Sequence, residues 1–194
     1  MVEIIYNLLS INKIAITKTF LADRHRLLSE VIRFPDRTSR DFYLDFNHEL
    51  LIFLGLVPSK DLAEEMYLAC RYMPWEPFED VKALELCPMP MGIISNWDST
   101  LPDKLAEYLP ELKFEHILSS EALGVRKPDP AIFAIALQKA GLQAKDCIFV
   151  GDSIRLDVAP ARAAGLDAYL IDRQNLFGFF NGKRISSFHQ LING

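Results

Sequence analysis

Cysteine is scarce in this sequence. Its 194 residues hold three, Cys70, Cys87 and Cys147, widely spaced and with no C-x-x-C pair. That excludes a disulfide framework and a thiolate zinc site, and reads as buried thiols kept in a reducing compartment. Long apolar runs are missing too: none approaches the roughly 18–20 residues that a membrane span needs. The opening stretch MVEIIYNLLSINKIAITK lacks the basic, apolar and small-residue order of a secretory signal, so the expected location is cytoplasmic. Positive charge is in the minority, 21 Lys and Arg against 26 Asp and Glu for a net charge of −5, which argues against nucleic acid or an anionic membrane as partner. The four histidines, His25, His48, His116 and His189, stand at no metal-ligand spacing. They read as surface or half-buried residues, with His25 and His48 on helices where they would be able to touch a substrate. There are no repeats and no low-complexity tracts. With half its residues hydrophobic, the chain can bury a full core, as one domain or as a core with a subdomain.

What is present falls into two halves. Residues 1–74 read as a helical subdomain. A stripe of Leu27, Leu28, Val31 and Ile32 predicts a helix over 23–32. Ser39 is placed to cap a second helix whose Phe42, Phe46, Leu50, Phe53 and Leu54 share a face up to Gly55. Ser59 caps a third, with Leu62, Met66 and Ala69 inward. The segment YMPWEPFED breaks the pattern and reads as a link, where Trp75 and Phe78 would pack between subdomains. Residues 75–194 alternate short apolar strands (91–95, 114–119, 147–152, 168–172) with helices beginning near Leu101, Asp129 and Leu156. Gly141 and Gly165 stop the last two helices, and ISSFHQLI reads as a closing helix. This is the pattern of an α/β fold, a parallel sheet covered by helices on both faces in three Rossmann-like layers. Phe177, Phe179 and Phe180, outside regular structure, would cover the sheet edge or meet another subunit.

In such sheets ligands gather beyond the carboxyl ends of the strands. The strand at 91–95 ends in Ser95-Asn96, a hydroxyl and backbone N–H groups suited to an anionic oxygen. Lys127 sits in GVRKPDP, a compact positive charge just before the helix that Asp129 and Pro130 open. The strand at 147–152 ends in Gly151-Asp152-Ser153, with Asp157 five residues after Asp152: hard oxygen donors suited to Mg²⁺. A donor, a cation and a metal carboxylate around one point are the equipment for stabilising a transferring phosphoryl group. Trp97 and Asp98, after the Ser-Asn pair, are placed to line an entrance; Arg126 reads as a solvated neighbour of Lys127.

The segments ISNWDS, GVRKPDPAIFAIAL and FVGDSIRLDVAPARAAGL resemble the second, third and fourth motifs of the haloacid-dehalogenase-like hydrolases, over roughly 75–172. The resemblance implies a core strand order of 3-2-1-4-5, a helical cap inserted after the first strand, Mg²⁺ and a phosphoaspartyl mechanism. By position, Ser95 and Asn96 would bind phosphate and Lys127 would neutralise aspartate and phosphate. Asp152 would ligate Mg²⁺, and Asp157 would complete or orient that site. The implied reaction is hydrolysis of a small phosphorylated metabolite. The alternatives are a non-catalytic phosphate-binding or regulatory protein on the same scaffold, and a metal-free 2-haloacid dehalogenase, which would not need the Asp152 pair as magnesium ligands.

The first motif of that family, a strand ending in Asp-x-Asp-x-Thr that carries the nucleophile, has no counterpart here. KIAITKTF, the nearest stretch, offers Thr17-Lys18-Thr19 and no carboxylate. In the implied order that strand lies between those ending at Ser95 and Asp152, and without it both would have unpaired backbone groups. The expectation is an incomplete chain that starts just after the motif and is inactive as it stands. The rival expectation is a catalytically dead descendant in which Ile14–Thr17 or a partner's strand fills the gap.

Overall fold

The computed structural model describes residues 1–31, 40–71 and 76–192. The chain divides into two compact units, Met1–Pro74 and Trp75–Gly194.

The first unit is built from four helices: α1 (Val2–Ile11), α2 (Lys18–Val31), α3 (Arg40–Phe53) and α4 (Lys60–Cys70). Each touches two others (α1 with α2 and α4, α3 with α2 and α4), so the four close into a ring around one apolar core. Ile5, Leu9, Leu21, Leu50, Leu51 and Met66 are its fully buried centre. The α3 face runs as its spacing predicts through Phe42, Phe46, Leu50 and Leu54, although Phe53 is exposed. Gly55 follows at φ +79°, the left-handed geometry that ends a helix. Ser59 caps α4, its hydroxyl accepting from the Leu62 N–H at 3.3 Å.

Three sequence expectations need correction in this unit. Helix α2 starts five residues earlier than its stripe indicates, and its inward residues are Leu21 and Leu28, two turns apart; Val31 is 62% exposed. On α4, Ala63 rather than Ala69 faces the core, because Met66 and Ala63 are one turn apart on the buried side. Ile14–Thr17 is neither helix nor strand, and Ile14 and Ile16 pack onto the helical core. Ser39, Ile32 and Trp75 lie outside the described residues.

The second unit opens with a 3-10 segment, Glu79–Leu86, and continues β1 (Gly92–Ser95), α5 (Leu101–Tyr108), β2 (His116–Ser119), α6 (Ser120–Leu123) and α7 (Ala131–Ala140). Then come β3 (Ile148–Gly151), a wide π-type turn over Ile154–Val158, α8 (Ala159–Ala163), β4 (Asp167–Ile171), β5 (Arg184–Ile185) and α9 (His189–Ile192). All strand pairs are parallel, in two sheets: β1 with β2, Ser95 opposite Ser119, and β3-β4-β5, Gly151 opposite Leu170. This is the expected α/β fold. The sequence reading missed β5 and α6 and took the π-turn as a straight helix.

Helix α7 lies against both sheets. It touches β1 and β2 directly, and its fully buried Phe133 meets Phe149 of β3 edge-on at 5.1 Å between ring centroids. Among the described residues, β1 and β3 each have a strand neighbour on one side only. Their side chains are correspondingly less covered. Ile148 is 44% exposed and Ile93, Ile94, Phe149 and Val150 are half-buried, while Ala168, Leu170 and Ile171 of β4 are buried.

Candidate functional site at the ends of β1 and β3

The carboxyl ends of β1 and β3 are tied together through the Lys127 loop. Asn96, the residue after β1, clamps the backbone of Lys127 from both sides. Its Nδ2 donates to the Lys127 carbonyl at 2.9 Å, and the Lys127 N–H donates to its Oδ1 at 2.8 Å. The Lys127 side chain then reaches across to the element after β3. Its Nζ donates to Asp157 Oδ1 at 2.6 Å and sits 5.9 Å from the Phe149 ring centroid. The pair is buried, with 12% and 6% of the two side chains exposed.

Asp157 is held just as firmly from its own side. Its Oδ2 accepts from the Ser153 N–H at 3.1 Å, while Ser153 Oγ accepts from the Leu156 N–H at 3.0 Å. The π-turn winds this segment back over the end of β3, so closely that a Cβ on Gly151 would lie 2.2 Å from that of Asp157. Only glycine fits there. The sequence shows Gly151 in its Gly-Asp-Ser group, but the π-turn that makes it necessary leaves no mark in the periodicity.

Of the residues singled out from sequence, Ser95 ends β1 half-buried, Asn96 and Lys127 are in direct contact, and Asp157 joins them through Lys127. Asp152 follows β3 with its side chain exposed, one residue from Ser153. Trp97 and Asp98 build a turn after the Ser-Asn pair. Asp98 Oδ1 accepts from the Thr100 N–H at 2.8 Å, and Trp97 Nε1 donates to Thr100 Oγ1 at 3.2 Å. The hydroxyl and N–H of Thr100 hold the Asp98 carboxyl below the usual carboxylate range. The Trp97 carbonyl accepts from Ser120 Oγ and the Glu121 N–H at the start of α6. Asp129 lies just before the next helix, its Oδ1 accepting from the Ala131 N–H at 2.9 Å, and Pro130 is the N-cap.

The donor set bears on a metal. Mg²⁺ keeps several waters and needs only one or two carboxylates beside phosphate oxygens. Asp152 is one such carboxylate. Both Asp157 oxygens are already engaged, and among the described residues no three His, Cys, Asp or Glu side chains stand together. One exposed carboxylate, with water and a bound phosphate supplying the other oxygens, is compatible with a magnesium ion, while Asp157 is engaged by Lys127 and the Ser153 N–H.

Away from this end, sequence reading missed two partly buried ion pairs. Arg184 donates to Asp172 at 2.9 Å, and Arg173 donates to Asp80 at 2.9 Å while stacking on Phe78 at 4.2 Å. Phe177 is buried, whereas Phe179 is exposed. All three cysteines are free and half-buried, less enclosed than their scarcity led us to expect. No helix among the described residues is long and apolar enough to cross a membrane.

Comparison with known proteins meets this geometry. A family profile described as haloacid dehalogenase-like hydrolase matches residues 12–165. The haloacid dehalogenase-like hydrolase domain-containing protein 3 of Danio rerio is 34% identical over 105 residues, 52% of this chain and 43% of that one. A phosphoglycolate phosphatase of Pseudomonas savastanoi is 32% identical over 113 residues, 56% of this chain and 38% of that one. The matched part thus spans less than half of either relative. In structure, YfnB from Bacillus subtilis, crystallised with magnesium, superimposes with a TM-score of 0.65 at 18% identity, covering 98% of this chain and 88% of that one, a likeness of fold. With four-fifths of its length inside the family's profile, and the Ser-Asn, Lys and Gly-Asp-Ser strand ends gathered at one place, the chain belongs to the haloacid dehalogenase-like hydrolases.

Proposed function

We propose that the end of β1 and β3 recognises a phosphate monoester of a small metabolite together with Mg²⁺, as part of a phosphatase site. The observation that carries this reading is the Lys127 ammonium, fixed by Asn96 through its backbone and by Asp157 through its Nζ, between two strand ends that offer Ser95 and Asp152. An ammonium anchored on two sides cannot swing away, so it contributes a preorganised positive charge where the phosphoryl oxygens would lie. Ser95 Oγ and the backbone N–H groups beyond β1 donate to the same oxygens, and Asp152 provides the metal's carboxylate. A bound Mg²⁺ would neutralise phosphoryl charge that Lys127 alone leaves unbalanced.

The phosphoaspartyl chemistry of such a site needs a nucleophilic carboxylate, and the sequence has no Asp-x-Asp motif to supply it. These 194 residues are therefore expected to bind phosphate with Mg²⁺ and not to turn it over. Calorimetry with inorganic phosphate, with and without Mg²⁺, tests the first half; hydrolysis of p-nitrophenyl phosphate tests the second. Binding that requires Mg²⁺ and is lost in Lys127→Ala and Asp152→Asn supports the site. Extending the chain upstream by a strand carrying Asp-x-Asp is then expected to give Mg²⁺-dependent hydrolysis. Absence of phosphate binding by the folded chain, or rapid Asp152-independent turnover, overturns the reading. Binding that the extended chain also fails to convert into turnover favours a non-catalytic phosphate-binding protein on this scaffold.

A further inference from the structure

The loop that leaves β1 is gripped by one residue of α6. Glu121 holds it at two points: its N–H donates to the Trp97 carbonyl at 3.2 Å, and its Oε2 accepts from the Ser99 N–H at 2.6 Å. Ser120 adds a third tie, its Oγ donating to the same Trp97 carbonyl at 3.2 Å. Helix α6 is anchored in turn, because Ser119, the last residue of β2, caps it with Oγ accepting from the Ala122 N–H at 3.2 Å. The grip therefore runs from the end of β2 to the loop after its sheet neighbour β1.

Two peptide planes are fixed in this way. The Trp97 carbonyl and the Asp98 N–H share one, the Asp98 carbonyl and the Ser99 N–H the next. A trans peptide points its C=O and N–H in opposite directions. With the Trp97 carbonyl bound to α6, the Asp98 N–H faces away from α6. The Asp98 carboxylate is turned back to the Thr100 N–H, and Asn96 is occupied with the Lys127 backbone. What remains is a pair of consecutive donors: among the described residues, the N–H groups of Trp97 and Asp98 meet no acceptor. Backbone N–H groups are obligatory donors, and successive ones held in a turn form a site for an anion.

We infer that Glu121 is a positioning residue of the phosphate site: by fixing the peptide planes on both sides of Asp98, it keeps the Trp97 and Asp98 N–H groups available to phosphoryl oxygens. The inference rests on the phosphate reading of the β1 and β3 ends and adds the residue that shapes the donor loop. Glu121 acts here as an acceptor for Ser99, since its negative charge by itself opposes an anion.

That distinction sets the test, calorimetry of the whole chain with inorganic phosphate and Mg²⁺ at pH 7. Glu121→Ala, an exposed position, is expected to weaken phosphate binding about tenfold, the worth of one hydrogen bond to an anion. Glu121→Gln keeps an acceptor for the Ser99 N–H and removes the charge, so it is expected to bind within about twofold of the unaltered chain or more tightly. In the unaltered protein, the nitrogen-15 amide signals of Trp97 and Asp98 are expected to move on adding phosphate, a readout that needs no variant to fold. Unchanged affinity in Glu121→Ala, a Glu121→Gln chain as weak as Glu121→Ala, or unmoved Trp97 and Asp98 amides in a chain that does bind phosphate overturns the inference and leaves the phosphate reading standing. No phosphate binding by the unaltered chain overturns both.

Discussion

At the scale of single residues, Lys127 and Asp157 carry more than their charges. Each removes the other's cost of burial, and Asn96 and Ser153 fix their two backbones from opposite sides. Replacing Lys127 by Met strands a carboxylate whose side chain is 6% exposed. The expected loss is about 2–4 kcal/mol of stability, measured by urea unfolding. Adding Asp157→Asn is expected to restore most of it, since no unpaired charge then remains and the Ser153 N–H keeps its acceptor. If Lys127→Met unfolds like the unaltered chain, the pair does not hold these strand ends together. The residues of this cluster were legible in the sequence because each sits in a short motif at a strand end. Their partnerships were not. Nothing in ISNWDS says that the Asn96 amide will be spent on the Lys127 backbone, or that Asp157 will face Lys127 with both oxygens engaged.

At the scale of elements, β3 and the turn after it depend on one missing Cβ. Gly151→Ala would drive a methyl into the Asp157 side chain at 2.2 Å, and the π-turn cannot back away without releasing Lys127. A loss of more than about 2 kcal/mol is expected, as for other overpacked interiors. It should appear as early exchange of the amides in β3 and Ile154–Val158 while α1–α4 remain protected. Phe133→Ala on α7 is expected to cost about 3–5 kcal/mol, because its fully buried ring touches a strand of one sheet from a helix that also covers the other. The strands β1 to β4 and helices α5 and α7 followed directly from apolar runs, prolines and glycine stops. What escaped was set by tertiary contact. The π-turn follows the pull of Ser153 and Lys127 on Asp157, and two-residue β5 pairs with β4 where Arg184 meets Asp172. On α2 the visible stripe of Leu27, Leu28 and Val31 pointed partly to solvent, since the ring of helices buries only the positions that Leu21 and Leu28 occupy. Among the described residues, β1 and β3 each keep one edge without a strand neighbour.

For the whole molecule, two units with separate cores carry titrating groups of opposite character, and acid should separate them. In the helical unit, burial first, then the α-amine of Met1 and Arg26, lower His25 to about 4 from an ordinary 6.5. The unfolded chain thus takes up a proton between those values and the folded one does not, so stability is full above pH 6.5 and is lost as pH falls towards 4. The loss is at most about 3 kcal/mol. In the α/β unit, burial pushes the Asp172 carboxyl up, but N–H groups of Phe177 and Leu176 and the Arg184 guanidinium outweigh it and hold the carboxyl below its usual range. Asp80 behaves alike with Arg173 and the Phe188 N–H. For these depressed carboxyls stability is present above the unfolded value of about 4 and drains away only below it. Trp97 lies in the α/β unit and residues 1–74 hold no tryptophan, so in a Trp75→Phe chain the two responses can be read apart in one sample. With urea held just below the unfolding midpoint, lowering the pH from 7 to 4.5 is expected to reduce helical circular dichroism while tryptophan emission stays unchanged; emission should follow only below pH 4. His25→Leu should abolish the first step and leave the second. A single transition seen by both signals at once would show that neither unit's stability is governed by its own buried groups.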